Sequence, residues 1–328
     1  MGLSMRTALI TGITGQSASY LSELLLEKGY EVYGLIRNST VPLAERIQYV
    51  PPEVKLLWGD MTDMGSLVQA LRIAKPDLIF HLAASSFVGT SWDLAIEVGK
   101  TNGLGTLNLL EAMRYVCPKA RMYNASTSEM YGTQKEDGIY DEASPFAPAS
   151  PYGAAKLFAH HMCNVYRKSH GMFVSCGIAF NHSSPRRGYR FVTRQVSVGV
   201  AKIKLGLAEM LPMGNMKARR DWLHAKDVMN AAWLMLQQPL ADDFVIASNT
   251  THSIEEVCEI AFAHVGLNPS NYIVIDEKLF RPNDVGYLCG DATKARSVLK
   301  WESTISFGQI ISEMVDNDIQ LLKAKHGL

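Results

Sequence analysis

Thr7-Ala-Leu-Ile-Thr-Gly-Ile-Thr-Gly-Gln-Ser-Ala18 decides the fold. Its apolar start reads as a short buried strand, and the residues from Gln16 to Lys28 alternate as an amphipathic helix does. Between them Gly12 permits a tight turn, and Gly15 lets backbone approach a pyrophosphate seated at a helix N-terminus. Thr14 and Gln16 join the glycines as candidate cofactor contacts, while Ala18 is small enough for helix-on-strand packing. Strand, glycine turn and helix in that order are the context a dinucleotide fingerprint requires.

Working outward, apolar runs recur at Glu31–Arg37, Val54–Trp58, Leu78–Ala84, around Tyr123, at Val174–Ile178 and at Phe244–Ala247, with helical stretches between them. That alternation predicts a doubly wound parallel α/β sheet of Rossmann type. The second run ends in Arg37 rather than an acid. A cation there suits a 2′-phosphate and so NADP. Asp60 and Met61 follow the third run, Asp60 placed for an adenine amino group or, equally, for a helix N-cap. Leu82, Ala83 and Ala84 end the fourth, small enough for a cofactor to pass close, and His81 reads as a hydrogen-bonded core histidine. Residues 102–113 read as one long helix.

The fifth run breaks into Thr127-Ser-Glu-Met-Tyr-Gly132 at the strand end, where open α/β sheets place their chemistry. Tyr152 and Lys156 lie four residues apart, one helical turn. An ammonium beside a phenol favours phenolate, and so prepares a proton acceptor. An ordinary helical Tyr–Lys neighbour pair is the bland alternative. From about residue 180 to 222 the chain becomes rich in arginine, in Asn181–Gly188 and Asn215–Trp222. Both segments read as loops suited to bidentate phosphate recognition.

The division expected is a cofactor-binding unit of residues 1–178 with about 223–250. A smaller substrate-binding unit takes about 179–222 with 251–328, and helical stretches are expected in residues 267–299. With 32 basic and 32 acidic residues among 328, bulk charge supports neither a nucleic-acid nor a membrane partner. Five scattered cysteines without a paired spacing read as reduced thiols of a cytosolic protein, with no metal site expected. No apolar span approaches transmembrane length.

The motifs TGITGQ (Thr11–Gln16), ASTSEMYG (Ala125–Gly132), SPYGAAK (Ser150–Lys156), FNHSSPRRG (Phe180–Gly188), FVTRQ (Phe191–Gln195), GNMKARRDW (Gly214–Trp222) and FRP (Phe280–Pro282) occur in this order over nearly the whole chain. Together they resemble the extended short-chain dehydrogenase/reductase family, in its 4,6-dehydratase branch. The resemblance implies an NADP-dependent loss of water from a nucleotide-activated hexose, GDP-mannose foremost. It implies that Thr127 holds the sugar hydroxyl, that Tyr152 takes its proton, and that Lys156 also binds the nicotinamide ribose. Glu129 would serve as base and then acid at carbons 5 and 6, for which burial should raise its pKa. Ser86, Asn181, Arg187, Arg194, Arg220 and Arg281 would meet the substrate. A homodimer or homotetramer built on a four-helix bundle is implied as well.

The chain departs from the family's pattern at Ser17-Ala18, where Asp-Gly is usual, at Asn38, where a second arginine is usual, and at Gln195, where lysine is usual. Its segment between Gly266 and Phe280 is short. Alternatives within the fold are a dehydratase for another nucleotide sugar, a 4-keto-6-deoxy-sugar reductase, or an epimerase. A non-catalytic cofactor-binding protein would be expected to lack Thr127, Tyr152 or Lys156.

Overall fold

The computed structural model describes residues 6–132, 138–280 and 286–328. Strands β1 (Thr7–Thr11), β2 (Glu31–Ile36), β3 (Lys55–Trp58), β4 (Leu78–His81) and β5 (Arg121–Thr127) follow the apolar runs. After the short β6 (Ile139–Tyr140) come β7 (Phe173–Ala179), β8 (Asn181–Ser183), β9 (Leu211–Met213), β10 (Arg219–His224) and β11 (Asp243–Ile246). Strands β12 (Thr251–Ser253), β13 (Ile273–Ile275) and β14 (Tyr287–Gly290) complete the set among the described residues.

Seven strands form the main sheet in the order β11-β7-β5-β4-β1-β2-β3, all neighbours parallel. The chain leaves β1 toward β2 and β3 on one side, then returns to β4 and runs out the other way. The crevice beyond the C-terminal ends of β1 and β4 is therefore the switch point at which such sheets bind ligands. Side-chain alternation along β1 supplies both faces at once. Ala8 and Ile10 join one core with Leu21, Leu25 and Val228, from helices Gln16–Glu27 and Ala225–Met235. Leu9 joins the other with Leu71, Leu109 and Met113, from helices Met64–Ala74 and Gly105–Val116. Cys163 and Tyr166 of helix Pro151–His170 pack into that second core.

A second sheet runs β12-β10-β14-β6, with β8 added to β10, and β9 pairs with β13. The segment 215–222, read from sequence as a loop, is a turn that leads into β10. Its Arg219, Arg220 and Asp221 pair with β12, and its Trp222, Leu223 and His224 pair with β8. Trp222 is buried in a third core with Val200, Val257 and Ile311, which explains why this arginine-rich stretch is a strand. The helix expected from residue 102 begins earlier: residues 95–98 run through a wide turn at Gly99–Leu104 into Gly105–Val116. Among the described residues of 267–299 the regular helix is confined to Thr293–Leu299, and the other regular elements are β13, β14 and single turns. Arg281 and Pro282 lie outside the described residues.

Candidate active site

Gly12 adopts φ +72°, and a Cβ placed on it would sit 2.7 Å from the Ala83 nitrogen. Backbone of the first turn and of the β4 end thus approach as closely as a glycine allows. A hydrogen-bond chain fixes the geometry. The Thr11 hydroxyl accepts from the N–H groups of Leu82 (3.2 Å) and Ala83 (3.1 Å), and so turns its own proton toward His81 Nδ1 at 2.8 Å. His81 Nε2 then donates to Thr106 Oγ1 (2.9 Å), whose hydroxyl donates to the Asn102 carbonyl (2.7 Å). Burial lowers the pKa of His81 to about 3, so the ring is neutral, a core histidine as its sequence position suggested. Asn102, which sequence reasoning did not single out, holds the 82–86 turn: it bonds both the N–H (2.8 Å) and the carbonyl (3.1 Å) of Ser85.

At the end of β5, Thr127 caps the single turn Ser128–Met130, its Oγ1 accepting from the Glu129 N–H at 3.3 Å. Opposite, Ser150 caps helix Pro151–His170 by accepting from the Gly153 N–H (3.0 Å), with Pro151 at the first position. A Cβ at Gly153 would lie 2.7 Å from the Glu129 carbonyl oxygen, so the helix start abuts Glu129 because that position is glycine. Tyr152 and Lys156 are buried; Glu129 is partly exposed.

Burial pushes the Tyr152 phenol up to about 12. A hydrogen bond from Thr127 and the charge of Arg187 oppose that rise, and the charge of Glu129 adds to it. The Lys156 ammonium donates to the Ala125 carbonyl at 2.9 Å, and burial lowers its pKa to about 8. The Arg187 guanidinium carbon stands 3.5 Å from the centroid of the Phe191 ring. Its Nε is sealed from solvent without a partner among the described residues, and burial lowers its pKa to about 10. Such a desolvated, incompletely paired guanidinium is a strong anion-binding group.

One cavity of about 950 Å³ gathers these groups. Gly12, Thr14, Gly15, Gln16, Leu82, Ala84 and Ser86 line it, as do Thr127, Glu129, Tyr152 and Lys156. Asn181, Arg187, Arg194 and Arg220 line it too, as do Phe191 of the FVTRQ motif and Trp92 and Met213, which lie outside the motifs. Arg37, Asp60, Met61 and Ala83 are not on its wall. Asp60 accepts from the N–H (2.8 Å) and hydroxyl (2.7 Å) of Thr62; these bonds first, and the charge of Arg37 as well, hold its carboxyl below the usual range. It caps no helix: Asp63 does that, accepting from the Gly65 N–H. Met61 is buried, with its carbonyl taken by Asn108 Nδ2 at 2.9 Å.

Arg194 departs furthest from its expected part. It forms a buried ion pair with Asp318 at 2.6 Å and also bonds the Pro185 carbonyl, so its guanidinium braces the arginine-bearing loop. Arg220 is buried, with Nη1 on the Arg219 carbonyl at 2.9 Å. A glycine turn at a helix N-terminus, lining one cavity with Tyr152 and Lys156, fits a nicotinamide dinucleotide, since Gly12 and Gly15 present no side chain there and the first N–H groups of a helix lack partners within it.

Fold and cavity together define an extended short-chain dehydrogenase/reductase. The chain belongs to the GDP-mannose 4,6-dehydratase family, whose model matches residues 9–314. It is 42% identical over 350 residues to the human GDP-mannose 4,6 dehydratase, covering 98% of this chain and 94% of the relative. Similarity to the Vibrio cholerae GDP-mannose 4,6-dehydratase is 39% over 367 residues, covering 99% and 98%. Among solved structures, the Thermus thermophilus UDP-glucose 4-epimerase in complex with NAD superposes with a TM-score of 0.85 at 27% identity, covering 96% of this chain and 99% of the other.

Proposed function

We propose that the chain removes water from GDP-mannose to give the 4-keto-6-deoxy sugar nucleotide, with NADP as a cofactor returned unchanged. The observation that carries this is the meeting of Thr127, Glu129 and Tyr152 on the wall of a cavity that also takes in the Gly12–Gln16 turn. When bound, the nicotinamide supplies a reversible two-electron acceptor. Thr127 holds the oxygen on carbon 4, and Tyr152 as phenolate takes its proton while that carbon becomes a ketone. The ketone acidifies the hydrogen on carbon 5. Glu129 takes that proton, the electron pair forms the bond to carbon 6, and Glu129 passes the proton to the departing hydroxyl, which leaves as water. The hydrogen and electron pair withdrawn from carbon 4 finish on carbon 6, and the proton taken by Tyr152 returns to carbon 5, so the phenolate is restored and substrate and product differ by one water.

Lys156, anchored on the Ala125 carbonyl, is assigned to the nicotinamide ribose. Arg37, beside Asp60 at the ends of β2 and β3, is assigned to the 2′-phosphate that selects NADP, which neither the fold nor the relatives' names decide. Asp60, Met61 and Ala83 complete the cofactor side. Ser86, Asn181, Arg187, Arg220 and Arg281 are assigned to the sugar nucleotide, with Arg194 supporting Arg187 from behind. The seven-stranded sheet then serves the cofactor, and residues of about 179–222 and 251–328 serve the substrate.

We infer a homodimer or homotetramer from exposed apolar residues (Leu104, Tyr115, Phe158 and Val165) on the helices that flank the site. We also infer a cytoplasmic location. No described helix is long and apolar enough to cross a membrane. Incubation with GDP-, CDP-, dTDP- and UDP-hexoses tests the reading. GDP-mannose alone should lose the mass of one water with no net change in nicotinamide absorbance. NAD rather than NADP copurifying with the protein would overturn the part given to Arg37.

A further inference from the structure

Helix Gln16–Glu27, whose N-terminus faces the cofactor side of the cavity, is clasped from the substrate side. Gln16 Nε2 donates to the His182 carbonyl (3.0 Å), and the Ser184 hydroxyl donates to Gln16 Oε1 (2.9 Å). Ser17 Oγ lies 3.0 Å from His182 Nε2. Arg186 bonds Ser19 Oγ (3.0 Å), pairs with Glu23 (2.7 Å) and stacks over Tyr20 at 4.1 Å. Five side chains of the helix, Gln16, Ser17, Ser19, Tyr20 and Glu23, and three residues of the 182–186 segment are thus joined across more than 160 positions of sequence. Gln16, Ser17, His182, Ser183 and Arg186 all line the cavity.

The direction of the Ser17 bond follows from the partners of the ring. His182 Nδ1 lies 3.1 Å from the Phe180 carbonyl, which can only accept, so Nδ1 carries the proton. Burial, then the charge of Arg187, lowers the pKa of His182 to about 4, with His224 acting in the same sense and the Phe180 bond against it. A neutral ring protonated at Nδ1 has a lone pair at Nε2, and the Ser17 hydroxyl donates to it.

We propose that Ser17 and His182 are positioning residues that couple the two subsites. A dinucleotide ordering the helix N-terminus orders β8 and the arginine loop after it, and an anionic sugar nucleotide drawn to Arg187 does the reverse. The coupling is reciprocal, since each ligand must tighten the other by the same factor. This rests on the functional reading above for the nature of both ligands.

Calorimetric titration of the full chain with NADP⁺ and GDP, each in the absence and presence of the other, reads the coupling directly without turnover. Wild type should show mutual tightening of about fivefold or more. Ser17→Ala should bind both ligands with the factor reduced toward one, and Ser17→Thr, which keeps the hydroxyl, should restore it. Ser17→Asp sets a carboxylate against Nε2 and raises the pKa of His182. Its coupling should therefore be present at low pH and fade as pH rises through that pKa, while wild type stays flat from pH 6 to 8. Independent binding in wild type, full coupling in Ser17→Ala, or a flat profile in Ser17→Asp would each overturn the proposal. If wild type binds neither probe, the functional reading falls first and this inference with it.

Discussion

The guanidinium of Arg187 rests on the ring of Phe191, 3.5 Å from its centroid, and from there its charge acts on the phenol of Tyr152. In the reaction proposed above Tyr152 must ionise to accept a proton, so activity should rise with pH as the phenol titrates. Arg187 lowers that pKa against the effect of burial. Arg187→Met should therefore move the rising limb of kcat/KM to higher pH. Each unit moved costs about tenfold in rate at neutral pH. Arg187→Lys keeps the charge without the planar stacking and should recover part of the loss. An unmoved limb in Arg187→Met would assign the phenol's activation elsewhere.

Glu129→Gln should bind NADP⁺ as wild type does, because Glu129 lies at the β5 end, apart from the Gly12–Gln16 turn. Water loss from GDP-mannose should fall by about 10²–10⁴-fold, the range for removal of a general acid–base. Mass spectrometry of the product checks it. Dehydration at the wild-type rate would remove the carboxyl from the mechanism.

Lys156 titrates near pH 8 when folded and about 10.4 when free. Between those values the unfolded chain binds the extra proton, so this group's contribution to stability rises with pH across the window. The stability of wild type relative to Lys156→Met, from urea melts, should therefore climb from pH 8 to pH 10. A constant difference would contradict the burial assigned to the ammonium.

Asp318→Ala should destabilise the protein by about 3–5 kcal/mol, since it strands the buried Arg194 guanidinium without its carboxylate. The Ser197 hydroxyl, 2.6 Å from Asp318 Oδ2, loses its acceptor as well. Denaturant unfolding gives the number. A change under 1 kcal/mol would mean that solvent reaches Arg194.

What could be read from the sequence was local. The Thr7–Ala18 turn, the break at Thr127 and the Tyr152–Lys156 spacing each carry their meaning within about a dozen residues, and the structure puts all three on one cavity wall. Partnerships between distant segments left no such trace. The resemblance puts Arg194 at the substrate, and Asp318, 124 positions later, gives no local sign that it also pairs with it. Lys156 stands one turn from Tyr152 as the spacing gives, but the bond from its ammonium to the Ala125 carbonyl, 31 positions earlier, leaves no trace in that spacing. Residues 219–222 read as part of a loop because β12 and β8, which make them a strand, lie in separate parts of the chain.

With the partly exposed Cys117 replaced by serine, the four buried thiols make the chain its own unfolding reporter. Desolvation drives the pKa of Cys176 well above its ordinary value, Cys258 to about 12 and Cys289 to about 11. Protonated sulfur out of solvent is a poor nucleophile. Alkylation at neutral pH must then wait for the packed layers around the sheet to part, and a maleimide becomes a stopwatch for that event.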